Sequence, residues 1–500
     1  MRQNKLIQLL LTLTARERTR WMSFVMSAFV SKNAPLRQLC SLLFDLAPSY
    51  EAIPAKSIVF IQIYGNDEPY NELKINNLIS DLYETTLQWL AWEAFSDQTL
   101  EQQRLKVLAL TQKNLDHHAS VALKRYFELL EKHPERNSEW YRHLGFAEQM
   151  AEFLHGRQGK REISEHLQNQ ASALTSAHLL EKLRLILAFQ NRSTLAVVKA
   201  TDKSQLQIDI HEMIRNPMLI HKLPVAEPFV KALELMRNPA PELFQELKQS
   251  LLIQSKTLGK KDAADLYQCA LNYCIGRINT GHQGAYMDAF EIYRILIDQN
   301  LLLQNNRLSQ WTYKNIATVG LRSGAFDWTE QFLETYIQYL PEPDQANAFA
   351  YNIATVYFEK QNYDKALKTL QDVKFKDISY HIGAKIIQLK TFFLLSEWDA
   401  LLSFLSATTQ VIRRDKSLSN FGKTTNLNFL NLLKATAKWA QKFEHFPGNH
   451  SETKRLALIQ KIEKCQPVSN KDWLLKVLNQ RNTFVDQDAP VLGSLSNNTT

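Results

Sequence analysis

Residues 351–367 read Tyr-Asn-Ile-Ala-Thr-Val-Tyr-Phe-Glu-Lys-Gln-Asn-Tyr-Asp-Lys-Ala-Leu. Ile353 and Tyr357 are four apart, one helical turn, and the small residues Ala354 and Ala366 stand among the large ones. Small residues let paired helices approach closely, while large ones fill the groove to the next pair. The rest of the composition agrees with helices. Glycine numbers 14 in 500 residues, well under half the usual share of roughly 7%. Few positions can then demand positive φ, as tight hairpins and phosphate-cradling loops do.

The quoted stretch resembles the tetratricopeptide (TPR) repeat and aligns with it without a gap. In that alignment Ile353 is the first large apolar position and Ala354 the small residue beside it. Tyr357 is the aromatic of helix A, Tyr363 opens helix B, Ala366 is the small residue at the helix crossing, and Leu370 and Val373 complete the inner face. A second copy opens at Asn315-Ile316-Ala317, runs through Gly324, Phe326 and Leu333, and reaches Pro341, where the repeat places its terminal proline. Ile316 and Ile353 are 37 residues apart, close to the period of about 34. Thr329 stands where the repeat carries alanine, which predicts looser packing there. A third copy pairs a helix over 264–278 with one at Tyr286 to Tyr293, across a turn lengthened by Gly281 and Gly284. A fourth pairs Ile386–Leu395 with Trp398–Leu405. The resemblance covers about 260–410. It implies an all-α fold, a right-handed α-solenoid of TPR-like helix pairs. Segments 424–444 and 452–481 then serve as capping helices, because a solenoid end must hide its apolar face.

Outward from the repeats, four regions are expected. An N-terminal helical module occupies 1–96, degenerate helical repeats 97–259, TPR-like repeats with their caps 260–481, and a polar disordered tail 482–500. Within the first, Leu6, Leu9, Leu10 and Leu13 have helical spacing, and Leu73 to Phe95 predicts a long helix. Ser57 to Tyr64 is β-branched and aromatic, which fits a short strand or a buried helix. Between 97 and 250 helices are expected at 105–115, 120–132, 139–155, 177–190, 206–214, 228–236 and 241–253. Prolines at 217, 224, 228, 239 and 241 stand at or beside helix starts.

Lys and Arg number 59 against 51 Asp and Glu, a formal charge of +8. Part of that excess falls on Lys454, Arg455, Lys461, Lys464, Lys471, Lys476 and Arg481, spaced among Leu456, Leu458, Ile459 and Ile462; this reads as a solvated helix face. The four cysteines are scattered without a CxxC pair, as reduced buried thiols would be. Arg2 and Lys5 precede an apolar run that Gln8 breaks and Arg16 to Arg20 follows, so an amphipathic first helix is expected rather than a signal peptide. No uncharged run approaches the roughly 18 residues of a membrane span. A cytoplasmic protein is expected.

Motifs for chemistry fail on particular residues. His211-Glu212-Met-Ile-Arg215 begins like a zinc-protease helix, but Arg215 takes the second ligand position and a cation cannot bind zinc. Phe421-Gly422-Lys423-Thr424-Thr425 resembles the end of a phosphate-binding loop, yet Ser417 stands where that loop needs glycine. His117 and His118 diverge by about 100° on a helix. Cys269 and Cys274 fall on different sides of one. No catalytic residue, metal site or cofactor is assigned.

Surfaces remain. Trp311, Tyr313, Trp328, Tyr336 and Tyr339 crowd two consecutive helices, as core or as the wall of a groove. In TPR arrays helix-A residues line a groove that takes an extended peptide or a partner helix. By that resemblance Lys314, Asn315, Arg322, Asn352 and Lys360 are the candidate binding residues. Asn315 and Asn352 each precede the first apolar position of their repeat, where an asparagine could hold peptide amides. The expected function is a noncatalytic scaffold for a protein or peptide partner, without a membrane role. The alternatives are an unrecognised enzyme and a nucleic-acid-linked regulator whose N-terminal Arg16, Arg18, Arg20, Lys32 and Arg37 touch phosphates.

Overall fold

A computed structural model describes residues 4–157, 164–193, 223–303, 306–371, 373–375, 377–445 and 449–480. Among them are 22 α-helices and no β-strand. The chain divides into two compact units.

The first unit holds α1 (Lys5–Leu10), α2 (Ala15–Met26), α3 (Ala34–Asp45), α4 (Lys56–Tyr64), α5 (Glu72–Ser96), α6 (Thr99–Gln112), α7 (Asp116–Lys132), α8 (Ser138–Arg157) and most of α9 (Glu165–Ser193). Local chemistry sets their starts. Asn4, Asn33 and Asn71 accept from backbone N–H groups as N-caps, and Thr14 with Glu17 forms a capping box. Segment 57–64 is helical rather than extended. Val59 and Phe60 are buried with Ile63 and Tyr64 packed beside them, while Ile58 and Ile61 face out. That i, i+1, i+4, i+5 spacing is one face of a helix and matches no strand period. The α1–α5 core closes around Trp21, whose indole N–H donates to Thr86 Oγ at 3.0 Å; Thr86 in turn donates to the Leu82 carbonyl. Farther along, helices begin earlier than the apolar pattern suggests: α6 starts at Thr99 and α9 at Glu165, because polar first turns carry no periodic signal. The expected helix at 206–214, the 211–215 motif and the 482–500 tail lie outside the described residues.

The second unit is built from α10 (Glu227–Arg237), α11 (Pro241–Ile253), α12 (Lys260–Asn279), α13 (Ala285–Asp298), α14 (Gln310–Arg322), α15 (Phe326–Tyr336), α16 (Glu342–Glu359), α17 (Tyr363–Gln371), α18 (Ile378–Leu394), α19 (Trp398–Arg414), α20 (Asn420–His445), α21 (Asn449–Lys464) and α22 (Lys471–Gln480). From α12 to α19 each helix packs against the next, and α14, α16 and α18 pack on one another in turn. At the crossing of α14 and α15 the expected loose packing is absent. Thr329 is fully buried and bonds the Ala325 carbonyl at 2.8 Å, and a Cβ on Gly320 would lie 2.2 Å from its Oγ. The small residue has moved from one helix to the other, so the approach stays close. Three helices, α20 to α22, follow the last pair, and Phe429, Leu433, Leu474 and Leu478 bury their apolar faces against it. No helix of the described residues is long and apolar enough to cross a membrane.

Candidate functional site

The second unit brings Trp311, Lys314, Tyr351 and Tyr380 together from three alternate helices, α14, α16 and α18. Ser309 caps α14 by accepting from Thr312 N–H at 3.0 Å. Trp311 and Lys314 then fall three apart on one face. Tyr351 stands on α16. Tyr380 lies in the first turn of α18, whose N-cap Asp377 accepts from Ser379 N–H at 2.8 Å and Tyr380 N–H at 3.1 Å. Lys314 Nζ lies 5.8 Å from the Trp311 ring centre, 5.1 Å from Tyr351 and 5.4 Å from Tyr380. These are cation–π distances.

The rings also brace one another. Trp311 and Tyr380 are nearly parallel at 6.3 Å and 8°, and Tyr351 meets Tyr380 edge-on at 5.2 Å. Tyr380 donates its hydroxyl to the Gln310 carbonyl at 3.2 Å, tying α18 to the start of α14. Gly383 makes room for this arrangement, since a Cβ there would lie 2.6 Å from Tyr351 Cε2.

Burial holds the Lys314 ammonium below the usual lysine range, while the Asp377 carboxylate pulls the other way. Among the described residues, no carboxylate lies within 4.0 Å of its Nζ. Burial likewise pushes the Tyr351 and Tyr380 hydroxyls up, so both remain neutral donors. The result is a half-buried cation held by π faces, with no hydrogen-bond partner among the described residues.

The other candidate residues meet different surroundings. Asn315 is exposed on α14. Asn352 is 2% exposed and donates to the Ala348 carbonyl of its own helix at 2.8 Å, so its amide braces α16. Arg322 is exposed at the end of α14. Lys360 reaches back to α15, pairing with Asp327 at 2.7 Å and with Glu330; those hydrogen bonds hold its ammonium above the usual lysine range. The crowded aromatics also divide. Trp328, Phe332 and Tyr336 stack as a ladder at 5.6 and 4.9 Å, and Tyr313 is buried with its hydroxyl on the Leu333 carbonyl. Trp311, at 49% exposed, is the one that borders the Lys314 site. Tyr380, Asp377 and Gly383 escaped the sequence reading; a glycine in the middle of a helical run was their only signal.

Elsewhere, Phe421 to Thr425 forms the first turns of α20 rather than a loop. Cys269 and Cys274 are buried, and burial pushes both thiols up to about 12. His117 and His118 are exposed. In the N-terminal basic group, Arg18 donates to the Leu13 carbonyl at 2.6 Å, Arg20 pairs with Glu93, and Arg37 donates to the Ser31 carbonyl. Arg16 and Lys32 are exposed. No protein-family model, curated protein or solved structure matches this chain.

Proposed function

We propose that this protein is a noncatalytic scaffold of the cytoplasm whose 260–480 region is a right-handed, TPR-like α-solenoid. In this reading the surface where α14, α16 and α18 meet binds a peptide or helix of a partner protein, and Lys314 takes an acidic group on that partner. The observation that carries it is the Lys314 ammonium, half-buried among three rings from three helices with no carboxylate in contact.

The physical case is one of incomplete compensation. Removing an ammonium from water is costly unless a counter-charge or strong acceptor replaces the lost hydration. The π faces supply part of that, on the order of 1 to 2 kcal/mol. An arriving carboxylate supplies the rest, because ion pairs strengthen where water is partly excluded. Exposed Asn315 and Trp311 stand beside Lys314 to meet the flanking peptide.

Selection of a random displayed-peptide library on the full-length protein tests this. Enriched peptides should share an Asp, a Glu or a terminal carboxylate beside apolar residues. Lys314→Met, checked by circular dichroism, should weaken their binding at least about tenfold, the loss of one charge-assisted hydrogen bond. Unchanged affinity in the folded variant would remove Lys314 from the proposed surface.

A further inference from the structure

The charge of this chain is unevenly distributed. Residues 398–480, which span α19 to α22, contain 13 Lys and Arg against six Asp and Glu, whereas the rest of the chain has 46 against 45. Nearly all of the formal excess therefore sits at one end of the second unit.

On α20 the excess is ordered. Lys434, Lys438 and Lys442 recur every fourth residue, and all three are exposed. Each step is about 6 Å along the helix axis, which makes a straight row on one face. Asn420, Thr424 and Asn431 continue that row toward the start of the helix, all exposed and none acidic. The α20 sequence has no Asp or Glu before Glu444. Among the described residues none of the three lysines makes an ion pair. Other lysines of the unit do so: Lys231 with Glu246, Lys248 with Glu291, and Lys360 with Asp327 and Glu330. A face kept merely soluble would carry both signs.

We infer that the exposed row Lys434, Lys438 and Lys442 on α20 is a binding surface for the sugar–phosphate backbone of a nucleic acid, read without regard to sequence. Phosphates recur at about 3.4 Å of axis per strand, and the winding of the strand sets neighbouring ones about 7 Å apart, near the lysine spacing. Flexible ammonium side chains bind phosphate as point charges, and the Asn and Thr side chains can donate to backbone oxygens. An anionic lipid surface fits less well. Helices that lie in a membrane interface place exposed bulky apolar residues next to the cations; here Phe421 is exposed only at the start of the helix, and no such residue stands beside Lys434, Lys438 and Lys442. The inference is independent of the Lys314 surface.

The test uses full-length protein and a fluorescein-labelled oligonucleotide of mixed sequence, with fluorescence anisotropy read between about 50 and about 200 mM salt. The expected result is binding that weakens with salt. The triple variant Lys434→Gln, Lys438→Gln, Lys442→Gln should bind at least about tenfold more weakly at low salt, with a salt slope shallower by about 2 to 3. All three positions are exposed, so the fold should survive the change. A control removes the same charge elsewhere, at exposed Lys106, Lys113 and Lys124 of the first unit, and should keep both affinity and slope. Absence of oligonucleotide binding by the wild type would overturn the inference. So would a triple variant that matches the wild type, or a control that loses as much. Preferred binding of phosphatidylserine vesicles or of polyglutamate over the oligonucleotide would overturn it in favour of a lipid or an acidic protein.

Discussion

Gly320 and Thr329 meet where α14 crosses α15, with Thr329 fully buried. A helix crossing needs one small residue, and either helix can supply it. Gly320 does so here, with Thr329 Oγ where a Cβ would have to go. Gly320→Ala should therefore destabilise the protein by about 1 to 3 kcal/mol, the usual cost of overpacking. Adding Thr329→Ala should recover most of that loss, and a double-mutant cycle of denaturant midpoints would show the coupling. Equal losses in the single and double variants would mean that the two side chains do not share the crossing. Lys360 makes a contrasting case. It holds two carboxylates but Asp327 is 97% exposed, so Lys360→Ala should change stability by less than about 1 kcal/mol.

Among the elements, α18 does the most to assemble the site. Its first turn supplies Tyr380 and its middle supplies Gly383, against which Tyr351 of α16 rests. Gly383→Ala should push the Tyr351 ring off Tyr380 and open the box around Lys314. The expected outcome is a stability loss of about 1 to 3 kcal/mol and loss of affinity for any peptide selected through Lys314. Gly276→Ala on α12 is the matched control. A Cβ there meets nothing within 4 Å, so the substitution should stabilise by up to about 1 kcal/mol through helix propensity. Thermal denaturation of the two variants separates a specific close approach from a general response to glycine replacement. The helices themselves were largely legible in the sequence, because 3.6-residue periodicity survives wherever a helix has one apolar face. The Lys314 box was not, since its members are 66 residues apart between Lys314 and Tyr380 and no local pattern links them.

Across the whole molecule, buried cations and buried thiols move stability in opposite directions as pH rises. Burial lowers Lys314, Lys385 and Lys390 alike, Lys390 to about 8. Lys390 lies over the Trp473 ring at 5.3 Å and donates to Asn470 Oδ1 at 2.5 Å, with Glu359 raising and Arg322 lowering its pKa beyond the dominant effect of burial. A group whose folded pKa is depressed binds more protons when unfolded, so stability rises with pH across the interval between the two values. The Lys390 contribution should accordingly grow from about pH 8 to about pH 10.5, while the buried thiols of Cys269 and Cys274, raised to about 12, cost stability above about pH 9. The lysine is therefore read from the difference between the wild type and a variant without it. Lys390→Met should remove that contribution and with it a penalty on the order of 3 kcal/mol at neutral pH, partly offset by the acceptor left idle on Asn470. Its advantage over the wild type should shrink as pH rises toward about 10.5. Melting temperatures of both proteins over that range decide the matter; a difference between them that stays constant with pH would mean that Lys390 keeps its ordinary pKa in the folded protein.

The sequence alone determined the all-α class and the succession of helices between 260 and 410. Each of these is written in neighbours fewer than about four residues apart, the range over which a helix relates its side chains. Tertiary packing decided that Asn315 is exposed while Asn352 is buried, that Lys360 is paired while Lys314 is not, and that three distant aromatics surround one ammonium. Burial and pairing depend on which surfaces other helices cover, and that information lies between elements rather than within any one of them.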